Sequence, residues 1–167
     1  RRGVVFHDGR PFEAEDVASS IRRARALPGS RVAYYLESVA DVRALDSATV
    51  EIETARPSPV LLNKLAFIAI VPRDTPLSPV THPVGTGPFR FVSGRAGGEI
   101  VGERFERYWG PRPSWERVRF LSFPEARARG EAVAAGEADA VSRFPYDMAE
   151  WASRKEGMRL VATPGLG

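Results

Sequence analysis

The chain contains no cysteine, so a disulfide, a zinc-thiolate site and a cysteine nucleophile are all excluded. Histidine is scarce too: His7 and His82 are far apart in sequence, neither has a metal-type neighbour, and no metal is expected. Of the 24 basic residues only Lys64 and Lys155 are lysines. The formal charge is +3 and the pI about 9.7. The arginines alternate with acids, as in Glu99, Glu103, Arg104, Glu106 and Arg107. That alternation describes a solvated mixed-charge surface and lacks the one-signed stripe of a nucleic-acid groove. No apolar run approaches the roughly 18 residues of a spanning helix. The longest, residues 65–71, has the length of a core strand. Internal repeats and low-complexity runs are absent, as is a signal-peptide pattern.

Catalytic patterns are missing as well. The loop Gly85-Thr86-Gly87 invites a phosphate-binding reading, but Pro88 has no N–H to offer and a strand follows, where an anion site needs a helix N-terminus. Ser93-Gly94 is not a nucleophile elbow, because Phe91 stands where a glycine is required. Acid pairs such as Glu13 with Glu15, or Glu51 with Glu53, fall on turns or solvent faces without an apolar pocket. No catalytic residue and no cofactor is expected.

What the sequence does carry is an ordered series of elements, beginning with a short apolar run, Val4, Val5 and Phe6, that reads as a strand and meets the turn dipeptide Asp8-Gly9. The chain then passes Pro11 into an amphipathic helix over residues 13–27. Glu13 stands at its N-cap, Asp16 at N3, Phe12 and Val17 at the staple positions, and Pro28-Gly29 at its stop. His7 reads as a turn histidine bonded within its own loop. Residues 39–44 and 50–54 read as a β-hairpin closed by a four-residue turn, with Val50, Ile52 and Thr54 facing inward. Ser58 as N-cap and Pro59 at N1 start a second helix that buries Leu61, Leu62 and Leu65, and a strand over residues 67–71 follows. Residues 72–83, with four prolines, read as a crossing between two lobes.

Beyond it lie a strand with Phe89 and Phe91 on one face, a glycine-rich turn, a returning strand over 99–104, and a strand over 118–123. Trp109 and Trp115 read as core packing beneath a loop. A helix over residues 125–135, interrupted by Gly130 and stopped by Gly136, leads to a turn at Phe144-Pro145. The run from Asp147 to Glu150 reads as a capping box with Tyr146 and Trp151 as its staple, and residues 158–162 as a final strand.

Three stretches in this order resemble the family 5 solute-binding proteins of bacterial ABC importers, which include receptors for peptides, nickel and oligosaccharides. They are Arg2-Gly3-Val4-Val5-Phe6-His7-Asp8-Gly9-Arg10-Pro11-Phe12-Glu13-Ala14-Glu15-Asp16-Val17, Pro83-Val84-Gly85-Thr86-Gly87-Pro88-Phe89, and Gly136-Glu137-Ala138-Asp139. Tyr108-Trp109-Gly110 matches as well, although Phe105-Glu106-Arg107 replaces the family's Asn-Pro-x before it. Glu13 stands where the family usually has Thr or Ser.

The resemblance implies an α/β protein, a fragment of the class II periplasmic-binding-protein-like fold with mixed sheets flanked by helices. Residues 1–80 would be a partial small extra domain, and residues 81–167 part of the first large lobe, ending near the hinge to a second lobe. The implied role is capture of a peptide or similar solute between two lobes and its delivery to the permease subunits of an ABC importer. Nickel chelates and oligosaccharides are alternatives, and a hydrolase or a basic nucleic-acid module are lesser ones. By position, the ligand-contact candidates are Ser142, Arg143, Phe144, Tyr34, Tyr35, Pro164 and Gly165. Arg143 offers a planar fork for a carboxylate and Phe144 an apolar floor. A monomer is expected, at the periplasmic or extracellular face, touching the membrane only through the transporter or a lipid anchor. Because the chain opens inside the first pattern, it reads as an internal fragment whose export signal lies elsewhere.

Overall fold

The computed structural model describes residues 1–142 and 144–161. They form two compact units, one of Arg1–Gly94 with Ile100–Arg119 and one of residues 95–99 with the described residues from 120 on. In the first unit helix α1 (Ala14–Ala26) follows the N-cap Glu13, as its sequence pattern predicts. The departure at the cap has a physical account. The Asp16 carboxylate accepts the Glu13 N–H at 2.9 Å. The Glu13 side chain accepts the Asp16 backbone N–H in return, which closes a capping box, and it also pairs with Arg73 Nη2 at 2.5 Å. An acid at N3 is further favoured by the helix dipole. Phe12 packs edge-on against the buried Phe6, with ring centroids 6.0 Å apart.

Ala18, Ile21 and Ala24 of α1 meet Leu36, Val39, Val42 and Ile68 in one core. Leu36 closes a 3-10 turn (Ala33–Leu36). Strands β1 (Val39–Ala44) and β2 (Val50–Thr54) form the expected antiparallel hairpin. The connection is residues 45–49, one longer than the sequence suggests, because Ala44 pairs with Val50 and the Leu45 N–H bonds the Thr49 carbonyl at 2.9 Å. A register shift between Val39 and Asp41 lets Val39 and Val42 face the core despite their odd spacing.

Three expectations in this unit are corrected. Val4, Val5 and Phe6 make a single bridge, Val5 to Pro11, and no strand. Helix α2 is short (Leu61–Leu65), with Val60 and not Ser58 before it, and buries none of its residues; Leu62 is 80% exposed. Ser58 Oγ is engaged by Ser38 Oγ at 3.2 Å and caps nothing. Residues 67–71 are not a strand, because the Phe67 and Ile68 N–H groups close the end of α2 onto the Lys64 and Leu65 carbonyls.

From there the proline-bearing segment lies along α1, which supplies polar partners for its backbone. Ser20 Oγ both accepts the Val71 N–H at 2.9 Å and donates to the Val71 carbonyl at 3.1 Å. Asp16 accepts the Arg73 N–H at 2.9 Å, and Arg23 donates to the carbonyls of Pro76 at 3.0 Å and Ser78 at 3.2 Å. A segment without regular structure stays in place because its backbone groups are satisfied in this way.

Strands β3 (Phe89–Gly94), β4 (Glu99–Arg104) and β5 (Arg117–Leu121) form a sheet in the order β3-β4-β5, with β3 and β4 antiparallel. β5 stops at Leu121, short of the expected 123. Gly102 fits between Val118 and Phe89: a Cβ there would lie 3.3 Å from Val118 Cγ2.

The second unit holds α3 (Ala126–Ala134), a 3-10 turn (Tyr146–Met148) and α4 (Ala149–Ser153). Gly136 has φ +74°, the left-handed stop that the sequence suggests. The proposed capping box is absent. The Met148 N–H bonds the Pro145 carbonyl at 3.2 Å, so Asp147 already lies inside a helical turn. Tyr146 is 96% exposed and staples nothing. Residues 158–161 are not a strand, and residue 162 lies outside the described set.

Candidate functional site

The first and second sequence patterns meet in the first unit through His7. Its backbone N–H bonds the Gly85 carbonyl at 2.9 Å. The ring engages the same loop from both nitrogens: Nδ1 accepts the Gly85 N–H at 3.3 Å, and Nε2 lies 3.0 Å from the Gly87 carbonyl. A carbonyl cannot donate, so the partners assign the proton to Nε2. His7 is therefore not bonded within its own turn, as the sequence suggests, but to a loop almost eighty residues on. The Phe105 ring closes over it edge-on, with centroids 5.1 Å apart. Beside it, Asp8 accepts the Arg10 side chain at 2.8 Å, and this bond lowers the Asp8 pKa. Trp109 Nε1–H donates to the Thr86 carbonyl at 3.0 Å, and the Arg1 guanidinium sits 4.3 Å from the Trp109 ring centroid. The loop that looked like a phosphate cradle thus has its polar backbone committed to His7 and Trp109.

Tyr34 and Tyr35 are brought together on the surface of the same unit, their ring centroids 3.9 Å apart. Phe67 stacks on Tyr35 at 4.6 Å with an interplanar angle of 8°. Tyr34 is 54% exposed and Phe67 60%, so the outer rings of this three-ring stack are open. A side-chain hydrogen bond to Tyr35 raises the Tyr34 pKa above the ordinary phenol value. Sequence reading missed Phe67 because it sits in an apolar run that looks like a buried strand. The turn that ends α2 exposes it instead.

Trp115 does not pack beneath a loop as expected. It is exposed and, with Pro88, Phe89, Tyr108, Pro111 and Pro113, lines a shallow groove of about 360 Å³.

In the second unit Ser142 is exposed and Phe144 half-buried. The Phe144 ring lies against Gly130 of α3. Arg143, Pro164 and Gly165 lie outside the described residues. Among the described residues no group of three or more His, Cys, Asp and Glu side chains could hold a metal ion. No described helix is long and apolar enough to cross a membrane. The candidate surfaces thus present aromatic faces and hydroxyls, groups suited to holding a solute.

The sequence model of the bacterial extracellular solute-binding proteins, family 5 Middle, matches residues 1–167. This chain belongs to that family. Family 5 proteins are solute-binding components of ABC importers, not enzymes, and work in the periplasm or outside the cell. Among relatives of this family 5 protein, the glutathione-binding protein GsiB of Pectobacterium atrosepticum is 29% identical over 98% of the chain, which spans 34% of GsiB. A nickel ABC transporter structure from Bacillus halodurans is 30% identical, with a TM-score of 0.75 over 94% of this chain and 33% of that one. NikZ from Campylobacter jejuni, in complex with Ni(L-His), superposes with a TM-score of 0.79 at 22% identity, covering 93% of this chain and 33% of NikZ. These likenesses show the periplasmic-binding-protein-like fold. The chain spans about a third of the length of the relatives it matches.

Proposed function

We propose that this chain is the part of an ABC-importer receptor that presents one side of a peptide-capturing cleft, and that the whole receptor passes the peptide to a membrane permease. The observation that carries the reading is the likeness to a glutathione-binding relative over 98% of the chain, glutathione being a tripeptide. In this reading residues 1–80 are a partial small extra domain and residues 81–167 part of the first large lobe. Tyr34 and Tyr35, joined by Phe67, offer flat aromatic faces to apolar side chains and amide planes of a peptide. Ser142, Arg143 and Phe144 are the ligand-facing stretch of the lobe, with Arg143 as the clamp for a peptide carboxylate and Pro164-Gly165 near the hinge. A nickel chelate is the second reading, favoured by the 30% identity to a nickel transporter protein.

The test is native mass spectrometry of a receptor of the relatives' full length carrying this chain, purified without denaturation. Bound masses of peptides are expected, either a single small peptide or a ladder spaced by amino-acid residues, and Arg143→Ala should then weaken peptide retention about tenfold or more, as for loss of a charged pair. A single bound mass matching a metal chelate or a sugar overturns the peptide reading.

A further inference from the structure

Gly130 stands in the middle of α3 and is buried. On helix propensity alone the position is a defect, since glycine costs roughly 1 kcal/mol against alanine there. The packing gives the residue a purpose. A Cβ at Gly130 would stand 2.7 Å from Phe144 Cε2, 3.3 Å from Phe144 Cζ and 3.4 Å from Trp151 Cζ3. The first distance is far inside van der Waals contact, so the Phe144 ring occupies the space a side chain at 130 would need. Phe144 in turn is joined to Pro145, which opens the 3-10 turn (Tyr146–Met148), and Trp151 comes from α4 behind it. Helix α3 therefore holds the stretch around Phe144 through a missing methyl group.

We propose that Gly130 is a positioning residue for solute capture. It seats Phe144 against the backbone of α3 and thereby sets where that ring stands toward the ligand. The proposal rests on the reading of residues 142–144 as ligand-facing. It touches no solute itself and acts only through the ring it accommodates. Enlarging the residue drives the ring outward and moves the wall, and shortening the ring gives the methyl group its room back. Cores that cannot yield are commonly strained by one added methylene.

The experiment is a double-mutant cycle in a receptor of the relatives' length: Gly130→Ala, Phe144→Leu and the pair together. Retention of a synthetic random tetrapeptide pool is measured by equilibrium dialysis, and the melting temperature of each variant is taken alongside. Expected are a loss of affinity of about tenfold for Gly130→Ala, a smaller loss for Phe144→Leu, and a double variant no weaker than Phe144→Leu alone. A helix defect alone would lower the melting temperature of Gly130→Ala and leave retention unchanged once the protein is folded. Weakened retention in Phe144→Leu with unchanged retention in Gly130→Ala overturns the role of Gly130. Losses that simply multiply in the pair overturn it too, because the two positions would then act independently. Unchanged retention in Phe144→Leu overturns instead the ligand-facing reading of residues 142–144, and no retention by the unmutated receptor overturns the peptide reading.

Discussion

Asp16 is 2% exposed, and its carboxylate serves the Glu13 N–H, the Arg73 N–H and, at 3.1 Å, Arg73 Nε. One side chain therefore caps a helix and anchors a segment 57 residues away. Replacing it leaves two backbone N–H groups and a guanidinium short of a partner, and leaving such groups unpaired is costly. Asp16→Ala is expected to lower stability by about 2–4 kcal/mol, measured by urea denaturation, with the denaturation slope unchanged. Asp16→Asn should fall between the two, because its amide oxygen can still accept one of these bonds. Equal stability of the wild type and Asp16→Ala would mean that water replaces the carboxylate. Glu13 belongs to the same cluster. It pairs with Arg73 as Asp16 does, so the cap of α1 and the anchor of the distant segment share one ion-pair cluster.

Helices α1 and α2 illustrate how far periodicity reaches. In α1 the apolar positions, the acid at N3 and the Pro-Gly stop all point the same way, and the helix forms within a residue of its expected limits. In α2 the three leucines look like a buried stripe, but five residues make little more than one turn, and only Leu61 and Leu65 lie against the core cluster. Ile21→Ala should therefore cost about 2–5 kcal/mol as a buried deletion, whereas Leu62→Ser should change stability by less than about 0.5 kcal/mol in the same denaturation series. A large effect at Leu62 would show a packed partner for that face. The hairpin and the β3-β4 pair were legible from alternation and turn residues. The false strand at residues 67–71 was not, because an apolar run reads the same whether its backbone pairs with a sheet or is held by the turn after α2 and by Ser20 of α1. The candidate site was legible only where neighbours in sequence are neighbours in space, as with Tyr34 and Tyr35. Phe67 joins them from thirty-two residues on, and Gly130 meets Phe144 across a turn that no local pattern announces.

At the scale of the whole molecule, receptors of this architecture hold their solute between two lobes, and closure supplies much of the contact. This chain spans about a third of its relatives. Alone, it is expected to retain the tetrapeptide pool at least about a hundredfold less tightly than a receptor of full length, by equilibrium dialysis of both. Parity between the two would show that the second lobe is dispensable for capture. The His7 clasp has a consequence for the order in which the molecule takes shape. Its partners at Gly85 and Gly87 stand 78 and 80 residues further along the chain, so the ring closes one of the longest loops in the fold. A bacterial ribosome adding about 5–20 residues per second makes Gly87 roughly 4–16 s after His7. During that interval α1 and the hairpin can form from local contacts, while the first sequence pattern waits with an unmatched imidazole. Such distant pairings are the slow steps of folding. The His7 turn and the loop that holds it are thus among the last parts of this unit to become structure.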